Sequence, residues 1–157
     1  MHCAHPEHHH SADDLLANLR AACAQRGLRL TELRETVYAL IARSAKPVKA
    51  YDLLDQLKAV RPGLAAPPTV YRALDFLLGN GFVHKLETLN AFIACPHPVE
   101  GQHATQFLIC EHCLETVELE DSGISRQVAR QAEVQGFVPK RHTIEVYGLC
   151  SHCAQHA

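Results

Sequence analysis

The sequence predicts an α+β protein in two parts: several helices closed by a β-hairpin, then a small α/β unit. Three observations carry that expectation. Apolar residues recur at helical spacing through the first half. Two short arms then flank the turn segment "ETLN", and two Cys-x-x-Cys pairs follow in the last third. The 157 residues suffice for one ordinary domain or two small ones with limited core.

Taken in order, Leu15, Leu16, Leu19, Ala22 and Cys23 fall on one helical stripe, and Gly27 sits where a helix C-cap would. Thr31 is placed to N-cap a second helix, with Glu32 and Glu35 in its first turn and Leu33, Val37, Leu40 and Ile41 as its stripe. Tyr51, Leu53, Leu54 and Leu57 mark a third helix that stops near "RPG". The segment "PPTVYRALDFLLGNG" opens with prolines suited to a first helical turn and closes on Gly79, Asn80 and Gly81. Val70, Leu74, Leu77 and Leu78 form its buried face, which leaves Thr69, Tyr71, Arg72 and Asp75 elsewhere around the cylinder. The arms "FVHKL" and "AFIAC" complete a hairpin. Helices followed at once by a hairpin are the order of a winged-helix domain, a relative of the helix-turn-helix.

Beyond the linker "PHPVEGQHA", strands are expected at "TQFLIC", "TVELE" and "HTIEVYGLC", with a helix over "SGISRQVARQAEVQG". The expected division is a winged-helix domain over residues 1–96, a hinge over 97–102 and an α/β domain over 103–157, with residues 1–12 a disordered His-rich tail. So thin a second core gains most by pairing with a copy of itself, so that domain is expected to dimerise.

Composition narrows the chemistry. No run approaches the roughly 20 apolar residues of a membrane span, and "MHCAHPEHHH" lacks the regions of a signal peptide, so a cytoplasmic protein is expected. Seven cysteines in such a chain argue for metal or redox chemistry over a disulfide framework. Residues 1–96 hold 11 Lys and Arg against 9 Asp and Glu, a net +2, whereas residues 97–157 hold 4 against 8, a net −4. Any nucleic-acid contact must therefore come from a local patch on the first part.

"CEHC" (Cys110, Cys113) and "CSHC" (Cys150, Cys153) each follow an expected strand. Two such turns complete a tetrahedral four-thiolate shell, closed to water and therefore structural. The 36 residues between the pairs exceed the usual ribbon spacing, but a strand, helix and strand returning to the first turn would bridge it. The competing chemistry is a thioredoxin-like dithiol, which needs one reactive pair at a helix N-terminus beside a parallel sheet.

An exposed Thr69, Tyr71 and Arg72 mean little alone, since most such faces are merely solvated. Here they lie on the last helix before a wing, where hydroxyls and Arg72 reach phosphates or base edges in a major groove. Tyr51, Arg29 and Lys49 are further candidates for DNA contacts.

In order and spacing, "LRLTELRETV", "AYDLLDQL", "PPTVYRALDFLLGNGFVHK", "FLICEHC" and "IEVYGLCSHC" resemble the ferric uptake regulator family, and within it the zinc uptake regulator branch. The resemblance runs from about residue 13 to the end. It implies a dimeric, non-enzymatic bacterial repressor whose metal-bound form clamps double-stranded, inverted-repeat operator DNA and whose apo form releases it. Tyr51 and Arg72 match the family's base-contacting Tyr and Arg, and Tyr71 a residue placed to meet DNA. Where relatives commonly carry Leu-Thr-Pro-Gln-Arg, this chain has "LTELR", with Arg34 retained and Glu32 and Leu33 substituted.

The hairpin supplies half of a second metal site. With the turn at residues 87–90, Leu86 faces Ala91 and His84 faces Ile93, so His84 and Cys95 become diagonal neighbours on one face, ~7–8 Å apart at the backbone. Candidates to complete the set are His103, before "TQFLIC", and Glu118, in "TVELE", and the family's regulatory site resembles this set of four. Two zinc ions per subunit are expected, one structural and one regulatory, with no small-molecule substrate. Thiolate, imidazoles and one carboxylate suit four-coordinate Zn2+, whereas Fe2+ or Mn2+ favours more N/O ligands. The rivals are an iron-, nickel- or peroxide-responsive relative, a zinc-dependent hydrolase with an open metal position, and a thiol oxidoreductase.

Other candidates are assigned elsewhere. Cys23 is a core residue, His97 a solvated linker residue, and His112 and His152 face solvent within their turns. His142 matches a histidine that some relatives use in another metal site, but the His-rich run expected with it is reduced to "QHATQFLIC". His2, Cys3, His5 and His8 to His10 make a tail that could hold zinc weakly, with an incidental role the expectation.

Overall fold

The structure, a computed structural model, describes residues 10–98, 105–119 and 122–156. The chain divides into two compact units, Met1–Gln102 and His103–Ala157. His103, residues 99–102 of the expected hinge, and the tail donors His2, Cys3, His5, His8 and His9 lie outside the described residues.

The first unit contains α1 (Ala12–Gln25), α2 (Glu32–Ala42), β1 (Val48–Lys49), α3 (Ala50–Val60), a 3-10 turn (Pro62–Leu64), α4 (Pro67–Gly79), β2 (Val83–Leu86) and β3 (Ala91–Ala94). Caps set the helix ends. The Ser11 and Thr31 hydroxyls accept from the N–H of Asp14 and Arg34, which satisfies donors left open at the starts of α1 and α2. Gly27 and Gly81 take φ of +64° and +75°, a left-handed turn that a side chain would strain. There the chain reverses, and Leu28 and Phe82 donate back to the carbonyls of Cys23 and Leu77 at 2.9 Å each.

Leu15, Leu16, Leu19 and Cys23 of α1 pack with Val37, Tyr38 and Ile41 of α2, Leu53 and Leu57 of α3, Val70, Leu74 and Leu77 of α4, and Phe82. Cys23 is buried in that core, as its place on the stripe implies. Tyr38 is the residue the helical pattern missed: it is 1% exposed, while Leu40, expected on the stripe, is only half-buried. Burial pushes the Tyr38 hydroxyl well above its ordinary range.

The hairpin forms in the expected register, His84 opposite Ile93 and Leu86 opposite Ala91. β1, too short to read from the sequence, adds to its far side through Val48 opposite Phe92, giving the order β1-β3-β2. The hairpin is thereby pinned to the start of α3.

The second unit contains β4 (Thr105–Cys110), β5 (Thr116–Leu119), α5 (Ser122–Val134), β6 (Thr143–Gly148) and α6 (Ser151–Gln155). Its sheet runs β5-β4-β6, with β4 antiparallel to β5 and parallel to β6. Phe107 and Ile109 are its deeply buried apolar side chains, alongside Cys110 and Cys153. A core this small supports a domain only with a staple or a partner.

Candidate metal centres and nucleic-acid face

Parallel pairing of β4 with β6 solves the spacing of the cysteines. Cys110 stands opposite Gly148, so the crossover through α5 returns the chain to the first turn, and Cys150 emerges two residues later. Cys110, Cys113, Cys150 and Cys153 then place their sulfurs within 4.8 Å of one another. The Cys113 and Cys150 sulfurs are 3.8 Å apart. Two sulfurs each ~2.3 Å from one tetrahedral zinc stand roughly 3.8 Å apart, whereas a disulfide needs ~2.05 Å. The donor set therefore fits zinc.

Backbone N–H groups support the set. Cys150 N donates to the Cys110 sulfur at 3.3 Å, and Cys153 N donates to the Cys150 sulfur at 3.5 Å. Burial pushes the Cys110 thiol up, but the N–H groups of Cys113, Cys150 and His112, with the Cys113 thiol, pull it down to about 6. At Cys113 the Glu115 backbone pulls down, and burial with the Cys110 and Cys150 sulfurs outweighs it, pushing the thiol up to about 11. Burial and the other three sulfurs push Cys153 higher still. The Cys110 thiol thus ionises readily, whereas Cys113 and Cys153 need a cation to do so.

Two local details depart from expectation. The second pair opens a helix instead of only following a strand, because Cys150 is the N-cap of α6. Of the intervening histidines, His112 is exposed as expected, with its Nδ1 3.4 Å from the Cys153 sulfur, whereas His152 is half-buried and stacks on His156 at 4.6 Å.

In the first unit, His84 is 9% exposed on β2 and Cys95 is 1% exposed just past β3. The Cys95 N–H donates to the Phe82 carbonyl at 2.9 Å, so the pairing continues past β3 and puts Cys95 diagonally across from His84. Their ligand atoms lie within 4.8 Å of each other. A buried imidazole beside a buried thiol is a soft two-donor edge suited to zinc. Glu118 belongs to the second unit, half-buried on β5 opposite Phe107.

Arg26 braces this edge, and the sequence did not single it out. Its guanidinium donates to the carbonyls of Asn80 and Pro98, each at 2.9 Å, and lies over the Phe82 ring. It thereby ties the end of α1 to the chain on both sides of the hairpin. A cation just before a helix-ending glycine, with no acid nearby in the sequence, was the only available signal.

On the helical face, Tyr51 is 72% exposed at the start of α3 and Tyr71 is 56% exposed on α4. Arg72, Arg29 and Lys49 are exposed as well, while Thr69 is half-buried. Pro67 and Pro68 open α4, so its first turn presents side chains without a capping hydroxyl. The substituted positions on α2 have structural uses: Glu32 pairs with Arg61, and Leu33 packs against the core. Arg34 donates to the Arg29 carbonyl and lies 3.8 Å over the Phe76 ring.

The sequence profile of the ferric uptake regulator family matches residues 25–147. The zinc uptake regulation protein of Escherichia coli (strain K12) is 39% identical over 145 residues, spanning 92% of this chain and 84% of that protein. That of Mycobacterium tuberculosis (strain ATCC 25618 / H37Rv) is 29% identical over 130 residues, or 81% of this chain and 95% of that protein. Among solved structures, a zinc uptake regulator complexed with zinc and DNA is similar at a TM-score of 0.87 and 38% identity, covering 94% of this chain and 98% of that one. The crystal structure of holo XcZur is similar at a TM-score of 0.84 and 52% identity, covering 91% and 99%. By sequence along most of its length and by fold, the chain belongs to the ferric uptake regulator family.

Proposed function

We propose that this chain is a zinc-responsive transcriptional repressor, a regulator and not an enzyme, that controls zinc uptake and homeostasis genes. The observation that carries the reading is the pair His84 and Cys95, buried together on the wing hairpin in a chain that already has a complete four-thiolate set. A structural staple needs only the four cysteines, so a second soft donor pair calls for a separate, exchangeable ion. Similarity to a zinc uptake regulator solved with zinc and DNA supports the same conclusion.

In this reading His84, Cys95, His103 and Glu118 hold the regulatory zinc, and Cys110, Cys113, Cys150 and Cys153 hold the structural one. Two regulatory ligands precede the linker and two follow it. Binding by all four restricts the units to the arrangement that engages DNA, and the ion selects that state by its greater affinity for it. Arg72 and Tyr51 read base edges, Tyr71 and Thr69 approach the duplex, and Arg29 and Lys49 contact phosphates.

The working form is a homodimer on an inverted-repeat operator, in the cytoplasm. No helix among the described residues is long and apolar enough to cross a membrane. The second unit leaves Val134, Phe137 and Val138 exposed, with Leu108 and Val146 paired in register on its sheet, apolar surface suited to a second copy.

The test is a DNA-binding titration against buffered free zinc, with iron and manganese as controls, using an inverted-repeat duplex recovered by selection from random sequence. Zinc should drive binding at far lower free concentration than the other ions; equal binding without zinc, or a preference for iron, overturns the reading. In the same assay Arg72→Ala should lose about 1–3 kcal/mol of sequence-specific affinity, roughly 5- to 150-fold. Its zinc content should be unchanged.

A further inference from the structure

The hairpin arms, Val83–Leu86 and Ala91–Ala94, are four residues each, a length that holds together only with help from neighbouring structure. β1 supplies that help at the turn end, where Lys49 and Val48 pair with Ala91 and Phe92. His84 and Cys95 lie toward the other, open end, where the Cys95 N–H donates to the Phe82 carbonyl at 2.9 Å. A donor pair at the fraying end of a short ladder needs a separate restraint to keep one geometry.

Arg26 supplies that restraint. Its guanidinium donates through one nitrogen to the Asn80 carbonyl and through another to the Pro98 carbonyl, each at 2.9 Å, and its carbon stands 5.2 Å from the centre of the Phe82 ring. Asn80 lies just before Phe82, on the way into β2, and Pro98 lies just after Cys95, on the way out of β3. The planar fork is therefore a side-chain rung across the open end, and its charge covers the ring of the residue whose carbonyl receives Cys95. The fork is itself anchored. Arg26 is the C-cap of α1, its N–H donates to the Ala22 carbonyl at 3.0 Å, and the Cys23 carbonyl receives Leu28 at 2.9 Å. A lysine ammonium on its flexible stem does not hold two carbonyls in one rigid plane.

We propose that Arg26 is a positioning residue for zinc at the hairpin: by bridging the Asn80 and Pro98 carbonyls it holds His84 and Cys95 in the one arrangement in which both meet an ion. This role rests on the reading of His84 and Cys95 as zinc ligands. Without the bridge the ion itself must order the two donors, so part of its binding energy goes into closing the hairpin and affinity falls.

The test uses the full chain carrying its four-cysteine zinc, titrated with cobalt chloride. The visible bands of the ion report coordination geometry, and its near-ultraviolet sulfur-to-metal band reports the Cys95 thiolate. Arg26→Gln and Arg26→Lys should each weaken cobalt binding about 10-fold or more and alter the visible bands at saturation, with the four-cysteine zinc still in place. Ser11→Ala removes the cap at the far end of α1 and lowers stability without touching the bridge, so it should bind cobalt as the parent does. An equal loss of affinity in Ser11→Ala, or parent-like affinity in Arg26→Gln or Arg26→Lys, overturns the bridge. Cys95→Ser should abolish the sulfur-to-metal band. A parent without a Cys95-dependent band overturns the site and the bridge with it, whereas an intact band with unchanged affinity in the Arg26 variants overturns the bridge alone.

Discussion

Replacing Cys110 with serine should remove one zinc per subunit and, with it, the folded second unit and the dimer. The sulfur of Cys110 accepts from Cys150 N and ends the strand whose pairing with β6 brings the two turns together. Its thiol also ionises more readily than those of Cys113 and Cys153, pulled down to about 6 by surrounding N–H groups despite its burial. Among its described residues the unit has little else to stand on, since Phe107 and Ile109 are the deeply buried aliphatic and aromatic ones there. A structural zinc contributes about 10–16 kcal/mol of apparent binding energy to small domains, as much as or more than the ~5–15 kcal/mol net stability of an ordinary fold. Metal analysis, sedimentation velocity and thermal melting would read the outcome, with Cys153→Ser as an independent second variant. If both variants were stable dimers one zinc short, with unchanged melting, the staple role would be wrong. The same ligands set a pH dependence. Zinc binds thiolates, and Cys113 and Cys153 have raised thiol pKa values, so protons compete with the metal as pH falls. Zinc should be retained at neutral pH and released on acidification, with the melting temperature falling in step.

Much of this architecture was legible because its determinants are local. The stripe from Leu15 to Cys23, the cap at Thr31, the Pro67–Pro68 start and the Gly81 stop each use only neighbouring residues, and each element formed where those signals place it. The hairpin register followed from turn length alone, which is why the diagonal relation of His84 and Cys95 could be stated from the sequence. What was not legible depends on distant chain. β1 is two residues long and exists only because β3 is beside it. Tyr38 looked amphipathic but is enclosed by helices from three other segments. Glu32 stands where relatives commonly carry Pro and Arg34 is retained from their pattern, yet the partners found, Arg61 for Glu32 and the Arg29 carbonyl and Phe76 ring for Arg34, are ones no spacing rule reveals. Cys150 was read as the end of a strand and also caps a helix, because the short α6 carries no apolar period to announce it. Arg26 acquires meaning only once the chain after the hairpin folds back to it.

Cys95→Ser should separate regulation from folding. A serine fits the space of the cysteine, and the Cys95 N–H that bonds Phe82 belongs to the backbone, so the hairpin and the core beneath it should survive. What is lost is the one thiolate of the proposed regulatory set, which leaves imidazoles, a carboxylate and a hydroxyl that stays protonated at neutral pH and is a poor ligand for zinc. Metal analysis should therefore find one tightly held zinc per subunit, and sedimentation should find the dimer, while zinc no longer induces operator binding at concentrations that saturate the parent protein. His84→Ala should behave alike but with some loss of stability, since it removes a ring that is 9% exposed. The size of the effect follows from linkage. To carry an equilibrium from 1:99 to 99:1 in favour of the DNA-competent state, zinc must bind that state about 10⁴-fold, or ~5.5 kcal/mol, more tightly than the other. A ligand change that removes most of this preference leaves the operator unoccupied even when some zinc still binds, so occupancy and DNA affinity must be measured together. A Cys95→Ser protein that bound operator normally across buffered zinc would mean that His84 and Cys95 are not the sensor, whatever the four-cysteine centre does.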